Sequence, residues 1–143
     1  QNFNYAVVDP YANSITSKDN FLLRSYKSFN RHILNRPYIG EYKNYKNYIL
    51  KHLSLQKEVI PCILPNYDHT PRSGRKGMLL HNSTPKLFGE LLRKIIEKRQ
   101  INAEENLIFI KAWNEWGEGN YLEPDLKFGK GYLEEIRKIM NRG

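Results

Sequence analysis

One stretch of the sequence, residues 106–120, limits most strongly what this chain can fold into. Its first part, residues 107–112, is a short apolar run rich in β-formers, which is typical of a strand buried on both faces. Its second part, residues 113–119, changes abruptly to two tryptophans, an asparagine, two glutamates and two glycines. Polar groups directly after a buried strand usually belong to a site, because α/β proteins bind ligands at the carboxyl ends of strands. The stretch therefore predicts a strand with a functional site at its end.

The residue types after this strand suit a carbohydrate ligand. The flat indoles of Trp113 and Trp116 match the apolar faces of sugar rings, while carboxylates match sugar hydroxyls or a glycosidic oxygen. Glu115 and Glu118 are three residues apart on a predicted turn. Two carboxylates held close together share one proton, so one acts as an acid and the other as a base. Glycosidic chemistry requires that division of roles.

Other segments predict an α/β fold around this strand. Residues 5–9 and 59–64 form two further apolar runs, and Pro61 lies near the start of the second, where a missing N–H is tolerated. Between the runs, residues 41–53 and 84–96 show apolar positions at helical spacing. The order strand, helix, strand, helix, strand indicates parallel pairing with right-handed crossovers.

The helical segments leave some alternatives open. Thr84 and Pro85 are a typical helix start, since threonine caps the first turn and proline fits the first helical position. Residues 128–140 predict a closing helix, and residues 21–33 a less regular one that ends at the break 36–40. The tyrosines of segment 41–53 form a stripe that serves either for packing or as a binding platform.

The loop after the second strand, residues 65–72, is dense in functional side chains. Tyr67 and Asp68 could hold sugar hydroxyls, and Arg72 could bind a carboxylate or phosphate through two parallel hydrogen bonds or could brace the loop. An adjacent Asp-His pair suits a metal, but no third ligand occurs at a useful spacing, so we expect no metal and no cofactor. Asp9, at the end of the first strand, serves either a site or a turn.

The two loops are expected to meet. Both of their strands are apolar along their length and become polar only at their carboxyl ends. Neighbouring parallel strands lie ~5 Å apart, so their ends lie side by side. We therefore expect Tyr67, Asp68, Glu115 and Glu118 to converge at one rim of the sheet.

Two motifs resemble a known family. The sequence Asn-Glu-Trp-Gly-Glu-Gly at residues 114–119, followed by Tyr-Leu-Glu-Pro-Asp at 121–125, resembles the signature of WbsX-like glycosyltransferases, which are linked to bacterial polysaccharide synthesis. Residues 65–72 resemble a second segment of that family, from which Asn66 and His69 depart. The family is itself similar to the endo-α-mannosidase and endo-α-mannanase glycoside hydrolases, which are (β/α)8 barrels.

The resemblance implies a fold. Residues 1–143 would be the C-terminal portion of one catalytic (β/α)8 TIM barrel, with parallel strands and flanking helices. Residues 59–64 would be its seventh strand and residues 107–112 its eighth. The first strand, at residues 5–9, would be an edge whose partner lies in a missing N-terminal part of the barrel.

The resemblance also implies roles for individual residues. In the related hydrolases the sugar's own 2-hydroxyl attacks the anomeric carbon, and configuration is retained. By position, Glu115 matches the carboxylate that polarises the 2-hydroxyl, and Glu118 matches the general acid/base. The residues expected to contact the substrate are Tyr67, Asp68, Arg72, Trp113, Asn114, Trp116 and Glu123.

Composition restricts the partners. Lys and Arg number 23 against 15 Asp and Glu, giving a formal charge of +8. The cations are spread along the chain and no nucleic-acid-binding motif accompanies them, so we expect no nucleic acid. A solvated basic surface, or one attracted to anionic lipid or phosphorylated donors, explains the charge. Cys62 is the only cysteine, which excludes a disulfide framework.

These observations favour a cytoplasmic enzyme, with association at the inner membrane surface as a further expectation. Its partner would be a glycan or a sugar donor. Three functions stay open at this stage: a glycosyltransferase of surface-polysaccharide assembly, an endo-acting glycoside hydrolase, and a non-catalytic glycan-binding module. The sequence does not identify the sugar, the linkage or the donor.

Overall fold

The computed structural model of the chain describes residues 6–7, 20–55, 59–99 and 107–141. Its strands are β1 (Ala6–Val7), β2 (Tyr38–Glu41), β3 (Val59–Ile60), β4 (Cys62–Ile63), β5 (Met78–His81), β6 (Phe109–Ile110), β7 (Asn114–Glu115) and β8 (Asn120–Tyr121). Its helices are α1 (Phe21–His32), α2 (Tyr42–Leu55), α3 (Thr70–Ser73), α4 (Pro85–Arg99) and α5 (Gly131–Met140). Single 3₁₀ turns occur at Gly74–Lys76 and Trp116–Glu118.

The three predicted strands pair in parallel, as expected. β3 pairs with β1, and β4 pairs with β6, in both cases with parallel register. Pro61 alone separates β3 from β4, and its carbonyl accepts a hydrogen bond from the amide of Phe109 (2.8 Å). The predicted single strand at 59–64 is therefore two short pieces, one for each neighbour. The fold is mixed α/β, and within the described residues the strand pairs do not close into a barrel.

The prediction that the strand after residue 106 is buried on both faces is wrong. Only Phe109 and Ile110 form ladder pairs, and the Phe109 side chain is 47% exposed. Leu107 is also exposed. The physical reason is pairing. Within the described residues β6 pairs with β4 on one side only, so its apolar side chains are not covered on both faces.

A third parallel pair joins β2 to β5, with Tyr38 opposite Met78 and Glu41 opposite His81. The sequence was interpreted as a simple break at residues 36–40, so β2 is a correction. Its pairing partner lies about 40 residues further along the chain, and such non-local pairing overrides weak local preference. β5 follows directly after α3 and the first 3₁₀ turn.

The core lies between α2, α4 and α5 and the carboxyl end of β4. Phe88, Leu91 and Ile95 of α4 are fully buried, which confirms the predicted apolar face of that helix. The helix begins as predicted: the Thr84 hydroxyl accepts a hydrogen bond from the amide of Leu87 at 3.3 Å. α5 begins at residue 131 rather than 128, because the preceding residues form a turn at Asp125.

The tyrosine stripe of α2 serves packing, the first of the two alternatives. Tyr42 and Tyr45 are fully buried. The Tyr42 hydroxyl donates to the carbonyl of Leu64 (2.6 Å), and the Leu64 amide donates to the Tyr45 hydroxyl (2.8 Å). Burial, with the nearby Tyr45 and Tyr132 adding to it, raises the pKa of Tyr42 well above its ordinary value. Both polar groups of Leu64 are thus satisfied where β4 ends and the site begins.

The apolar side chains of α1 that the structure describes are largely exposed. Phe21 is 81% exposed, Leu22 75% and Tyr26 61%, and Phe29 and Ile33 are also open to solvent. The helix predicted from their spacing is present, but the described residues provide no cover for this face. Asp9, the candidate at the end of the first strand, lies outside the described residues.

Candidate functional site

The candidate site lies where the loop after β4 meets the hairpin formed by β7 and β8. The amide of Asp68 donates to the carbonyl of Glu118 (2.8 Å), and the amide of Tyr121 donates to Oδ1 of Asn66 (2.8 Å). The two segments follow the carboxyl ends of the parallel pair β4 and β6, which is why they meet at one edge of the fold. The predicted convergence of the two loops is present.

The hairpin depends on Gly119. β7 and β8 pair antiparallel, and the turn between them ends at Gly119 in the left-handed conformation, with φ of 51°. A Cβ atom on this residue would lie 2.8 Å from Cβ of Asp68. Glycine is therefore required twice here, for the backbone angle and for the close approach of the loop.

Arg72 lies between the two glutamates. Its Nη1 is 3.2 Å from Oε1 of Glu118, and its Nη2 is 3.5 Å from Oε1 of Glu115. Both nitrogens belong to one planar guanidinium, so a single side chain holds the two carboxylates next to each other. Of the two interpretations of Arg72, the observed contacts match bracing: its anionic partners are the protein's own glutamates.

Glu118 is the more enclosed carboxylate. Its side chain is 17% exposed, against 41% for Glu115. Nζ of Lys111 lies 3.2 Å from its Oε2, so the two carboxylate oxygens face different cations. Arg72 and Lys111 together balance the charge of the two carboxylates. Sequence analysis missed Lys111 because it was counted within an apolar strand; the signal was a lysine directly before the motif.

His69 is the second residue that sequence analysis did not assign to the site. Its Nε2 lies 3.9 Å from Oε1 of Glu118, and its Nδ1 is 2.9 Å from the hydroxyl of Ser73. The Tyr67 ring lies parallel to the imidazole, with 6.2 Å between centroids. The imidazole is thus fixed on one side by Ser73 and faces the glutamate on the other. The departure from the family pattern at this position was the available signal.

The predicted substrate contacts of the loop are only partly accessible. Tyr67 is 8% exposed, so little of its ring can meet a ligand. Oδ1 of Asp68 accepts hydrogen bonds from the amide and the hydroxyl of Thr70, a local turn contact that begins α3. Sugar contacts by these two side chains stay a prediction.

The aromatic residues of the hairpin are half exposed, as a sugar platform requires. Trp113 is 52% exposed and Trp116 is 46% exposed. Trp116 stacks on Tyr121, with 3.9 Å between centroids, and its indole N–H donates to Oε2 of Glu123 (2.7 Å). Asn114 is exposed beside them. Trp113 and Asn114 stand outside the set of contacts around Arg72.

Among the residues that the structure describes, no group of three or more His, Cys, Asp or Glu side chains is arranged to hold a metal ion. In the same part of the chain, every helix is too short or too polar to cross a bilayer.

The fold and the site together define an α/β protein with a carboxylate pair at the carboxyl end of parallel strands. Residues 2–136 match the family model described as Glycosyltransferase WbsX. The match covers most of the sequence, so the chain belongs to the WbsX glycosyltransferase family, a family of carbohydrate-active enzymes. The resemblance of the motifs at 65–72 and 114–125 is thereby confirmed at the level of the family.

Individual proteins are similar over shorter spans. Proteins named "Uncharacterized protein WxcX" from two strains of Xanthomonas campestris pv. campestris are each 34% identical over 84 residues. That alignment covers 57% of this chain and 12% of each relative, so the chain spans a small part of their length. A solved structure titled "Glycoside hydrolase-like protein" superposes with a TM-score of 0.46 at 16% identity, covering 78% of this chain and 32% of its own.

Proposed function

We propose that this chain is part of a glycosyltransferase that acts in the assembly of a bacterial surface polysaccharide. The observation that carries the proposal is the Arg72 guanidinium in contact with both Glu115 and Glu118, within a chain of the WbsX family. One side chain thereby holds two carboxylates close together, as a reaction that uses both of them at one glycosidic centre requires.

We further propose that the chain is the C-terminal part of a (β/α)8 barrel. The parallel pairs β1–β3 and β4–β6, with α2 and α4 between successive strands, support this assignment. The carboxylates follow a strand at its carboxyl end, where barrel enzymes carry their active sites. The remaining strands would come from another part of the protein.

In the proposed mechanism the two glutamates divide the proton transfers. Glu115 takes the proton of the sugar 2-hydroxyl, and the freed oxygen attacks the anomeric carbon while the bond to the leaving oxygen breaks. Glu118 donates its proton to that leaving oxygen. In the second half, Glu118 takes the proton of the acceptor hydroxyl, whose oxygen attacks the anomeric carbon. The 2-oxygen departs and recovers its proton from Glu115.

The observed contacts suit these roles. When Glu118 gives up its proton, the resulting anion lies beside Arg72 and Lys111, at 3.2 Å from each. Preorganised cations that face a developing charge lower the barrier because they need no rearrangement during the reaction. Positioned acid–base groups contribute roughly 10²–10⁴-fold in rate. Glu115 is more exposed, as a base that meets the substrate's hydroxyl requires.

The experiment that tests this function compares substrates for the full-length protein. We expect transfer of a sugar from a nucleotide-linked or lipid-linked donor to a glycan acceptor, detected as an increase in acceptor mass. Release of sugar from a bare glycan with water, without any donor, would instead identify a hydrolase. Glycan binding without turnover, unchanged by Glu→Gln substitutions, would identify a binding module and contradict the proposal.

A further inference from the structure

A recess lies beside the hairpin, and neither Glu115 nor Glu118 lines it. It is an open cleft of about 480 Å³, within the range of about 300–1,000 Å³ that small-molecule sites occupy. The residues that line it are Trp116, Tyr121, Pro124, Asp125, Leu126 and Lys127. Four of these six residues, those from Pro124 to Lys127, directly follow the hairpin strand β8 and Leu122–Glu123.

The cleft and the carboxylates lie on different faces of the hairpin. Asn114 pairs with Tyr121, and Glu115 pairs with Asn120. Residues directly opposite each other point to the same side of an antiparallel pair, and neighbours along a strand point to opposite sides. Tyr121, which lines the cleft, therefore projects from the face opposite to that of Glu115. A ligand in the cleft would leave Glu115 free to meet another part of the substrate.

The aromatic wall of the cleft is preorganised. The indole N–H of Trp116 is held by Glu123, and the Tyr121 hydroxyl donates to Oδ2 of Asp125 (3.0 Å). The backbone amide of Phe128 donates to the other oxygen of Asp125. Burial and the contact with Asp125 raise the pKa of Tyr121 to about 12, so its hydroxyl keeps the proton that it donates. These polar atoms are engaged within the protein, which leaves ring surface for a ligand.

The charges of the cleft favour a neutral ligand. Lys127 contributes one cation at the edge, with Nζ 4.8 Å from the centroid of the Phe128 ring. Asp125 contributes one anion. The lining is therefore neutral overall, and a phosphate or nucleotide would gain no net attraction from it. A sugar ring suits the lining better, because its C–H face can stack on an aromatic ring while its hydroxyls accept from an ammonium group.

From these observations we propose that this cleft binds one pyranose unit of a glycan, as a subsite separate from the reaction centre. This inference rests on the proposed function, because the glycan held in the cleft would also reach the carboxylates on the other face of the hairpin. Trp116, which lines the cleft, lies in the turn that joins β7 to β8, next to Glu115 in the sequence. The protein would then recognise at least two sugar units, one reacting and one held in the cleft.

The test separates binding in the cleft from the reaction. In the full-length protein, Glu115→Gln and Glu118→Gln together would remove turnover and leave the cleft intact. Binding of the methyl glycosides of mannose, glucose, galactose and rhamnose, and of their α-linked disaccharides, would be measured by saturation-transfer NMR and calorimetry. We expect at least one of these saccharides to bind, and Lys127→Ala to weaken its binding on the order of tenfold, since Lys127 supplies a charged donor.

Lys130→Ala is the matched control, because this exposed lysine lies three residues further on and outside the lining. It should leave binding unchanged. Leu126→Asp, which places a charge at the fully exposed edge of the cleft, should weaken binding as well.

The inference is overturned if no saccharide binds, if both lysine variants bind equally well, or if uridine or guanosine diphosphate binds in a manner that depends on Lys127. If the wild-type protein shows no turnover with any donor, but saccharide binding still depends on Lys127, the proposed function is contradicted and the subsite is not.

Discussion

Arg72 places its Nη1 3.2 Å from Oε1 of Glu118, although 46 residues separate the two along the chain. The contact joins the loop after β4 to the turn of the hairpin, and through Nη2 it extends to Glu115. The guanidinium thus sets the relative position of the two carboxylates on which the proposed chemistry depends.

We predict that this role of Arg72 requires a guanidinium. In the full-length protein Arg72→Met should lower kcat/KM about 10²-fold, since small misplacements of catalytic groups cost that much. Arg72→Lys should restore little of the loss, because a single ammonium cannot reproduce the two-point contact. Arg75→Met, at an exposed arginine in the adjacent 3₁₀ turn, is the control and should leave steady-state rates unchanged. Full activity in Arg72→Lys would show that only the charge matters.

Gly119→Ala is predicted to destabilise the protein strongly. An alanine at positive φ costs roughly 1–2 kcal/mol, and the contact with Asp68 at 2.8 Å adds an overpacking cost of about 1–3 kcal/mol. Gly129→Ala is the matched control: its φ is 55°, but a Cβ there would meet nothing within 4 Å. Urea denaturation should show the larger loss for Gly119→Ala. An equal loss of unfolding free energy in the two variants would mean that the close approach of Asp68 to residue 119 does not add to the cost of the substitution.

The raised pKa of Tyr121 predicts a pH dependence. Burial first, and then the hydrogen bond and the negative charge of Asp125, raise this pKa from 10.0 to about 12. Between those values the unfolded tyrosine loses its proton while the folded one keeps it, so the free energy of unfolding falls as the pH rises. The stabilisation is fully present below pH 10 and is lost towards pH 12. Comparing denaturation of the wild type and Tyr121→Phe over this range isolates the effect, and parallel curves would contradict it.

The exposed apolar face of α1 predicts self-association of the isolated 143-residue chain. Contiguous apolar patches of this kind mark contact surfaces or cause aggregation in water. Sedimentation velocity should show oligomers, which Leu22→Ser combined with Phe29→Ser should reduce. Met140→Ser, at a comparably exposed residue of α5, is the control and should change little. A monodisperse monomer in the wild type would contradict this prediction.

Local patterns in the sequence predicted much of this fold. The apolar face of α4, its start at Thr84, and the parallel order of the strands all follow from short-range periodicity and composition. β2 was missed because its stabilisation comes from a partner about 40 residues away. The burial of residues 107–112 was overestimated because burial depends on what packs against both sides of a strand, and composition alone does not reveal that.

The sequence motif predicted which acidic and aromatic residues form the site, but it did not predict which side chains surround Glu118. Glu115, Glu118 and Trp116 stand out because their residue types are unusual directly after a strand. The side chains around Glu118 come from two separate segments: Lys111 directly after β6, and His69 and Arg72 in and beside α3. Such contacts follow from how the loops fold against each other, and no spacing in the sequence encodes them.

The central claim, that Glu115 and Glu118 perform different steps, is tested most directly by leaving-group dependence. With the full-length protein, kcat/KM would be measured for substrates whose leaving groups differ in acidity, in the wild type, Glu118→Gln and Glu115→Gln. Glu118→Gln should abolish activity on substrates with poor leaving groups and partly spare activated ones, because only the former need a proton from the enzyme. Glu115→Gln should slow both alike, since loss of the base hinders attack by the 2-hydroxyl whatever the leaving group. Unchanged activity in both variants would contradict the assignment.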